Sequence, residues 1–355
     1  MPRPMPEPFT PERILLIQLR RIGDVLMTTP TVAALRKAYP GARISFLTEK
    51  PSDQLFRHNP NVDQVILHPR CGSLRSKIAL LWRLRREKFD LVVDFFSNPR
   101  SALITRSTGA VRRIGLDFRG RRWGYTETVR PDGPVSYSAG HKAALVKGLG
   151  VAVPSLLPEI FLGETERAHA RRQWTGLGVT PRDLLVALCP VSRRSYRAWP
   201  VERYAHLADV LIERYGAKVW IVWGPGEETF NNALRLHMRH LALPDFPMPD
   251  LLEMAALLER CHLFLGNDGG PHHMAVSVGT PTLTVFGRDF AHTWTPPDVP
   301  IHRSVEYDPG CKTDCHYPRC GEECLADLTY GAVEQALELF LETLLEDGHP
   351  RRTRH

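Results

Sequence analysis

"RILLIQLRRIGDVLMTTPTVAALRKAYPGA", residues 13–42, decides the fold. "RILLIQL" (13–19) is an almost unbroken apolar run, the pattern of a strand buried on both faces. Val25, Leu26, Val32, Leu35 and Ala38 then recur at helical spacing, and "YPGA" (39–42) ends the pattern. A strand feeding a helix in this way is a βα unit of a parallel sheet. Its turn lies at the carboxyl edge, where open α/β folds hold their ligands. Asp24 stands in that turn, next to Gly23. A carboxylate there either caps the helix or does chemistry, and the turn alone does not choose.

Outward from this unit the alternation continues. "RISFLT" (43–48), "VDQVIL" (62–67), "FDLVVDFF" (89–96) and "VRRIGL" (111–116) read as strands, with helical segments near 51–58, 74–87 and 99–108. The stretch 151–163, "VAVPSLLPEIFLG", has two prolines and no clear period, and reads as an interdomain connection. Beyond it the scheme repeats. "LLVALCP" (184–190), "KVWIVWG" (218–224), "HLFLGND" (262–268) and "PTLTVFG" (281–287) are the strands; helical patterns fill 165–175, 201–215, 227–240, 250–260 and 270–278. An amphipathic helix closes the chain at about 330–346. The expected organisation is a disordered leader (1–12), a first α/β domain (13–160), a second (161–345) and a disordered basic tail (346–355), the two doubly wound domains facing each other across a cleft.

Composition sets outer limits. The chain has 355 residues, 43% hydrophobic and 24% charged, with no apolar run near the ~20 residues of a membrane span. Five prolines among the first eleven residues make a leader rather than a signal peptide, so a cytoplasmic protein is expected. Seven cysteines, an odd number, argue against an exported disulfide scaffold. The net charge of +7 is concentrated: Arg70 to Lys88 holds seven basic residues against Glu87, and Arg100 to Arg122 seven more against Asp117. A basic face on the first domain suits nucleic acid, anionic headgroups or phosphorylated substrates, unless it is only a solvated surface. No nucleic-acid motif or aromatic interleaving supports the first of these. G-x-G-x-x-G, G-K-[ST], D-x-D, C-x2-C and H-E-x-x-H are all missing.

Three further stretches could carry chemistry. In "FLGNDGGPHHMAVSVGTPTLTVFG" (264–287) a strand ends at Asp268, and Gly269–Gly270 open a helix with His272 and His273 in its first turns. Glycines at a helix start let backbone N–H groups approach an anion such as a diphosphate, while Asp268 would accept hydrogen bonds from sugar hydroxyls. "CPVSRRSYRAWP" (189–200) crowds Ser192, Arg193, Arg194 and Arg197 into a loop at the same edge, a set suited to phosphate. In "WGPGEE" (223–228), Glu227 or Glu228 could hold a ribose diol or simply suit the helix dipole. Cys311, Cys315, Cys320 and Cys324 are spaced C-x3-C-x4-C-x3-C, which is not the usual zinc knuckle, and a reduced cysteine-rich loop is the expectation.

Taken together, "RRIGDVLMTTP", "SRRSYRAWP", "WGPGEE" and "GNDGGPHHMA…GTPTLTVFG" resemble glycosyltransferase family 9, the ADP-heptose:lipopolysaccharide heptosyltransferases, over about residues 12–345. "DFFSNPRSALITRSTGAVRRIGL" (94–116) is similar to the family's acceptor domain. The resemblance implies a GT-B fold of two Rossmann-like domains and an inverting transfer of heptose that needs no metal or other cofactor. It makes Asp24 the general base. It places Ser192, Arg193, Arg197, Glu227, Asp268, Gly269, Gly270 and His273 at the donor, ADP-heptose, with adenine on "PMPDLLEM" (247–254). Arg197 stands where many members have Lys, and Gly269 where some have Ser or Thr. The implied acceptor is lipid A–Kdo/heptose at the inner face of the inner membrane, met by a monomeric peripheral protein. Charge clustering makes Arg100, Arg113 and Arg119 candidates to contact it. Segment 74–89, "LRSKIALLWRLRREKF", is expected to be a packed helix with a basic outer side, with docking on the membrane as the second reading. Two alternatives stand beside this one: the same fold using another nucleotide sugar, and a non-catalytic protein that binds a nucleotide sugar or anionic glycan.

Overall fold

The computed structural model describes residues 9–130, 137–192, 197–315, 320 and 323–346. The chain divides into two compact units, one of residues up to 134 with Ser138–Phe161, the other of residues 135–137 with the chain from Leu162 onward. The first contains β1 (Arg13–Ile17), α1 (Ile22–Leu26), α2 (Thr29–Ala38), β2 (Arg43–Thr48), β3 (Gln64–Leu67), α3 (Leu74–Arg86), β4 (Leu91–Asp94), α4 (Pro99–Thr108), β5 (Arg112–Leu116), β6 (Glu127–Val129) and α5 (Ser138–Lys147). Its six parallel strands run β3-β2-β1-β4-β5-β6. That is the doubly wound order, and it reverses between β1 and β4, where the carboxyl ends open a crevice.

The expected single helix after β1 is two. Thr28 Oγ1 donates to the Val25 carbonyl (2.7 Å) and Thr29 Oγ1 to the Leu26 carbonyl (2.8 Å), ending the first helix, and Pro30 opens the second. Within the stretch expected as leader, residues 1–8 lie outside the described residues. From Phe9 the chain is held: Arg112 lies over the Phe9 ring, and Asp90 Oδ2 accepts from Glu12 N at 2.9 Å.

The second unit contains α6 (Glu164–Gly176), β7 (Leu185–Cys189), α7 (Val201–Tyr215), β8 (Lys218–Ile221), α8 (Glu228–His237), α9 (Leu251–Glu259), β9 (Leu263–Asn267), α10 (Gly270–Ser277), β10 (Thr282–Phe286), α11 (Ala291–Trp294), β11 (His302–Glu306), α12 (Glu323–Ala326) and α13 (Tyr330–Glu346). Five parallel strands run β11-β10-β9-β7-β8, and the order reverses between β7 and β9. All four strands foreseen here form, each wholly buried except β8 at Lys218. The edge strand β11, "HRSVE", is half polar and carries no apolar run to announce it. Leu337, Phe340 and Leu341 of α13 close the core over Leu283 and Val285 of β10. The proline-bearing connection at 151–163 has no regular structure before α6 begins at Glu164. Among the described residues no helix is long and apolar enough to cross a membrane.

Candidate active site

In the first unit the β1–β4 crevice is lined by the turn after β1 and by Phe95, the residue after β4. Asp24 is the third residue of α1, half-buried, and its Oδ2 accepts from the backbone N of Arg21 at 3.3 Å. The cap reading is therefore partly realised. One hydrogen bond leaves most of the carboxylate's accepting capacity for other partners. Behind it lies Lys142 of α5, a residue the sequence did not single out. Its buried Nζ donates to the Phe95 carbonyl (2.7 Å) and to Gln18 Oε1 (3.3 Å), tying the two lips of the crevice together. Burial pushes the Lys142 amine below its ordinary range, against the pull of the Asp24 and Asp94 carboxylates.

A second group surrounds Glu49, a buried acid just past β2. Arg20 Nε lies 3.4 Å from it, Arg100 Nη1 3.3 Å, Arg70 Nε 3.9 Å and His68 Nδ1 3.2 Å. These arginines follow β1, β3 and β4, so one carboxylate gathers three guanidinium groups at the carboxyl edge. The surplus positive charge suits an anionic ligand. Arg100 was foreseen here; Arg20, Glu49 and Arg70 were not, because only the parallel strand order brings them together. Arg119 lies exposed in the loop after β5. Arg113 is elsewhere: near the amino end of β5, it donates from Nε to the Gly124 carbonyl (3.2 Å) and from Nη1 to that of Ala110 (2.5 Å). Its guanidinium is committed to holding backbone.

In the second unit the β7–β9 reversal places the loop after β7 beside the end of β9. Buried Asn267 fixes that loop: its Oδ1 accepts from Trp199 N (3.1 Å) and Tyr204 OH (2.9 Å), while its Nδ2 donates to the Pro190 carbonyl (2.6 Å). Two residues before Trp199, Arg197 Nη1 reaches Asp268 Oδ2 at 3.1 Å, and its Nε reaches Asp289 Oδ2 at 2.6 Å. Asp289, in the loop after β10, was not foreseen. On the other side of Asp268, His272 Nδ1 stands at 3.7 Å and His273 Nε2 at 3.5 Å from Oδ1. Burial opposes the charge on Asp268, yet the two imidazoles more than offset it and hold the carboxyl well below its usual range. Burial pushes His272 down to about 4, although Asp268 pulls the other way.

Gly269 and Gly270 begin α10 as expected. A Cβ on Gly269 would meet only Pro271 Cδ, at 3.9 Å, so the position has room for a serine or threonine side chain. Ser192 is half-buried in the loop after β7; Arg193 lies outside the described residues. Glu227 precedes α8, and its Oε2 accepts from Gly224 N at 2.8 Å. Near that turn Trp220, Trp223, Phe246, Met248 and Met254, together with the polar Asp245, line a small pocket of about 20 Å³. Among the described residues, Asp268, His272 and His273 are the group whose possible ligand atoms all lie within 4.8 Å of one another. Arg197 already places a positive charge on that carboxylate, which works against a metal cation. The four late cysteines are free thiols; burial pushes Cys324 up, and the nearby Cys320, Cys311 and Cys315 add to the shift.

With this geometry in view, comparison with known proteins is specific. The sequence model of glycosyltransferase family 9 (heptosyltransferase) matches residues 78–319. Lipopolysaccharide heptosyltransferase 3 of Escherichia coli (strain K12) is 26% identical over 300 residues, covering 78% of this chain and 83% of that protein. Among solved structures, a family 9 glycosyl transferase from Veillonella parvula superposes with a TM-score of 0.81 at 25% identity, covering 94% of this chain and 97% of that one. E. coli ADP-heptose LPS heptosyltransferase II shares the fold with a TM-score of 0.74 at 21% identity, covering 93% and 99%.

Proposed function

The chain belongs to glycosyltransferase family 9, the GT-B heptosyltransferases, and from that premise we propose that it moves heptose from ADP-heptose to the lipopolysaccharide inner core with inversion. The similarity to lipopolysaccharide heptosyltransferase 3 over 300 residues carries the reading. The position of Asp24, at the reversal of strand order in the first sheet, supports its part in it.

In this reading Asp24 is the general base. As the acceptor hydroxyl oxygen bonds to the anomeric carbon, its proton passes to the Asp24 carboxylate, and the bond from that carbon to the diphosphate oxygen breaks. ADP leaves with the electron pair. Ser192, Arg193, Arg197 and the backbone N–H groups at Gly269 and Gly270 meet the growing negative charge, in place of a metal. Asp268 and His273 face the sugar, Glu227 the ribose, and the Trp223–Met248–Met254 pocket the adenine. Arg20, Arg70 and Arg100 meet the acidic groups of a lipid A–Kdo/heptose acceptor at the inner face of the inner membrane, where the protein works as a monomer.

The test is transfer to truncated lipid A–Kdo–heptose acceptors with ADP-heptose, UDP-sugars and GDP-sugars, each with and without chelator. ADP released from ADP-heptose alone, at an unchanged rate in chelator, supports the reading. Turnover of a UDP- or GDP-sugar instead overturns the donor, and loss of turnover in chelator overturns the metal-free transfer.

A further inference from the structure

One helix of the first unit presents to solvent a face that neither its core nor the proposed chemistry uses. Leu80 and Leu84 of α3 are buried in the core with Leu15, Phe89 and Ile104. With 3.6 residues per turn, the direction opposite their midpoint is that of Trp82. Trp82 is 63% exposed, and Ile78 and Leu74, four and eight residues earlier on the same side, are 44% and 73% exposed. Arg75 and Arg86 border Trp82 on one side and Arg85, whose Nη1 donates to the Thr108 carbonyl at 3.3 Å, on the other, and α3 carries no acidic residue. The sequence led to the expectation of a basic outer side; the exposed tryptophan–isoleucine–leucine stripe within it is what the structure adds. The neighbouring α4 contributes exposed Leu103.

We propose that this face of α3 docks the protein on an anionic phospholipid bilayer, with Trp82 and Ile78 entering the headgroup layer and the flanking arginines meeting lipid phosphates. This rests on the reading that the acceptor is lipid-anchored, and it names the surface that brings the chain to it. An apolar stripe led by tryptophan and bordered by cations matches the chemistry of the bilayer interface. Charge selects this occupant over a second copy of the chain. A symmetric contact through this face of α3 would set Arg75, Arg85 and Arg86 against the same three, whereas an anionic leaflet attracts each of them.

The experiment uses the full chain and vesicles of phosphatidylcholine alone or mixed with phosphatidylglycerol, separated by sedimentation. The wild type should sediment with the mixed vesicles at low salt, lose this at high salt, and stay in solution with phosphatidylcholine alone. Ile78→Gln/Trp82→Gln and Arg75→Gln/Arg86→Gln should each weaken binding about tenfold or more. All four positions are exposed, so folding and transfer to a water-soluble acceptor should be unchanged. Equal binding by wild type and both variants, or no wild-type binding to mixed vesicles, overturns the proposal. So does a wild-type dimer that Ile78→Gln/Trp82→Gln converts to monomer, since a second copy then covers the stripe. Vesicle binding as expected without transfer from any donor leaves the docking surface standing and removes the heptosyltransferase reading instead.

Discussion

Arg197 Nη1 lies 3.1 Å from Asp268 Oδ2 while the same side chain's Nε lies 2.6 Å from Asp289 Oδ2, so one guanidinium joins an acid after β9 to an acid after β10. The arginine proposed to meet the donor's phosphates thus also neutralises a buried carboxylate, and the two duties are separable by substitution. Arg197→Ala leaves Asp268 buried with only its imidazole neighbours for charge. It should cost roughly 3 kcal/mol of stability and raise the KM for donor steeply. Arg197→Lys keeps the charge but not the fork, and should fall between Ala and wild type on both counts. Asp289→Asn removes one carboxylate and leaves Asp268 paired, so its stability loss should be smaller than that of Arg197→Ala. Thermal denaturation and donor kinetics on the three variants check this. Equal stability of Arg197→Ala and wild type would show the pair to be incidental.

Asp24 can be tested without confusing base with cap. An asparagine at 24 can still accept from Arg21 N, as the Asp24 carboxylate does at 3.3 Å, but it cannot take the acceptor's proton. Asp24→Asn should therefore melt within about 0.5 kcal/mol of wild type and lose roughly 10²–10⁴ in kcat. Asp24→Ala should lose as much activity and some stability besides. Near-normal turnover by Asp24→Asn would return the residue to its capping role.

How far the sequence could be read depends on the range of the interactions involved. The buried strands announced themselves because each is a continuous apolar run, Asp268 because it directly follows one, and Asp24 because it opens the helix after another. The structure adds two helix caps that were not singled out in the sequence: Asn98 accepts from Ser101 N and Asp250 from Glu253 N. Lys142 was invisible because its partner Gln18 is 124 residues away in sequence. Glu49 and its arginines come from four separate segments, three loops and the start of α4, that only the order β3-β2-β1-β4 makes neighbours. Asp289 meets Arg197 through the adjacency of β10 and β9 in the same way. Arg113 shows the converse: charge clustering nominated it, but position along β5 puts it at the amino end, where its hydrogen bonds are structural.

Lys142 leads to a prediction of its own. Replacing it with Met removes the donor to the Phe95 carbonyl and to Gln18 Oε1 and leaves both buried without it. The expected loss is about 2–4 kcal/mol of stability. The substitution also takes a cation from beside Asp24. Activity should fall, because Lys142 holds the Phe95 carbonyl and Gln18 on either side of the crevice in which Asp24 stands. Loss of stability with kcat and KM unchanged would make Lys142 a structural strut alone.

The buried histidines of the second unit predict how stability depends on pH. Burial pushes His302 down to about 3, with the nearby His272 adding to the shift, and His272 itself down to about 4. In the unfolded chain both titrate near pH 6.5, roughly the ordinary histidine value. Below that pH the unfolded chain takes up protons that the folded chain refuses, so stability is full above about pH 6.5 and falls as pH drops toward 4. Asp268 adds to acid sensitivity lower still: its depressed carboxyl contributes stability above roughly pH 3.9 that is lost on further acidification. The His302 contribution alone should reach about 3 kcal/mol by pH 4. His302→Asn removes that titration along with the contact to Thr282 Oγ1 at 3.2 Å. The variant should therefore start less stable at pH 7 and lose less between pH 7 and 5. Denaturant midpoints at the two pH values measure the difference, and parallel declines in wild type and variant would mean that His302 is not held neutral by the fold.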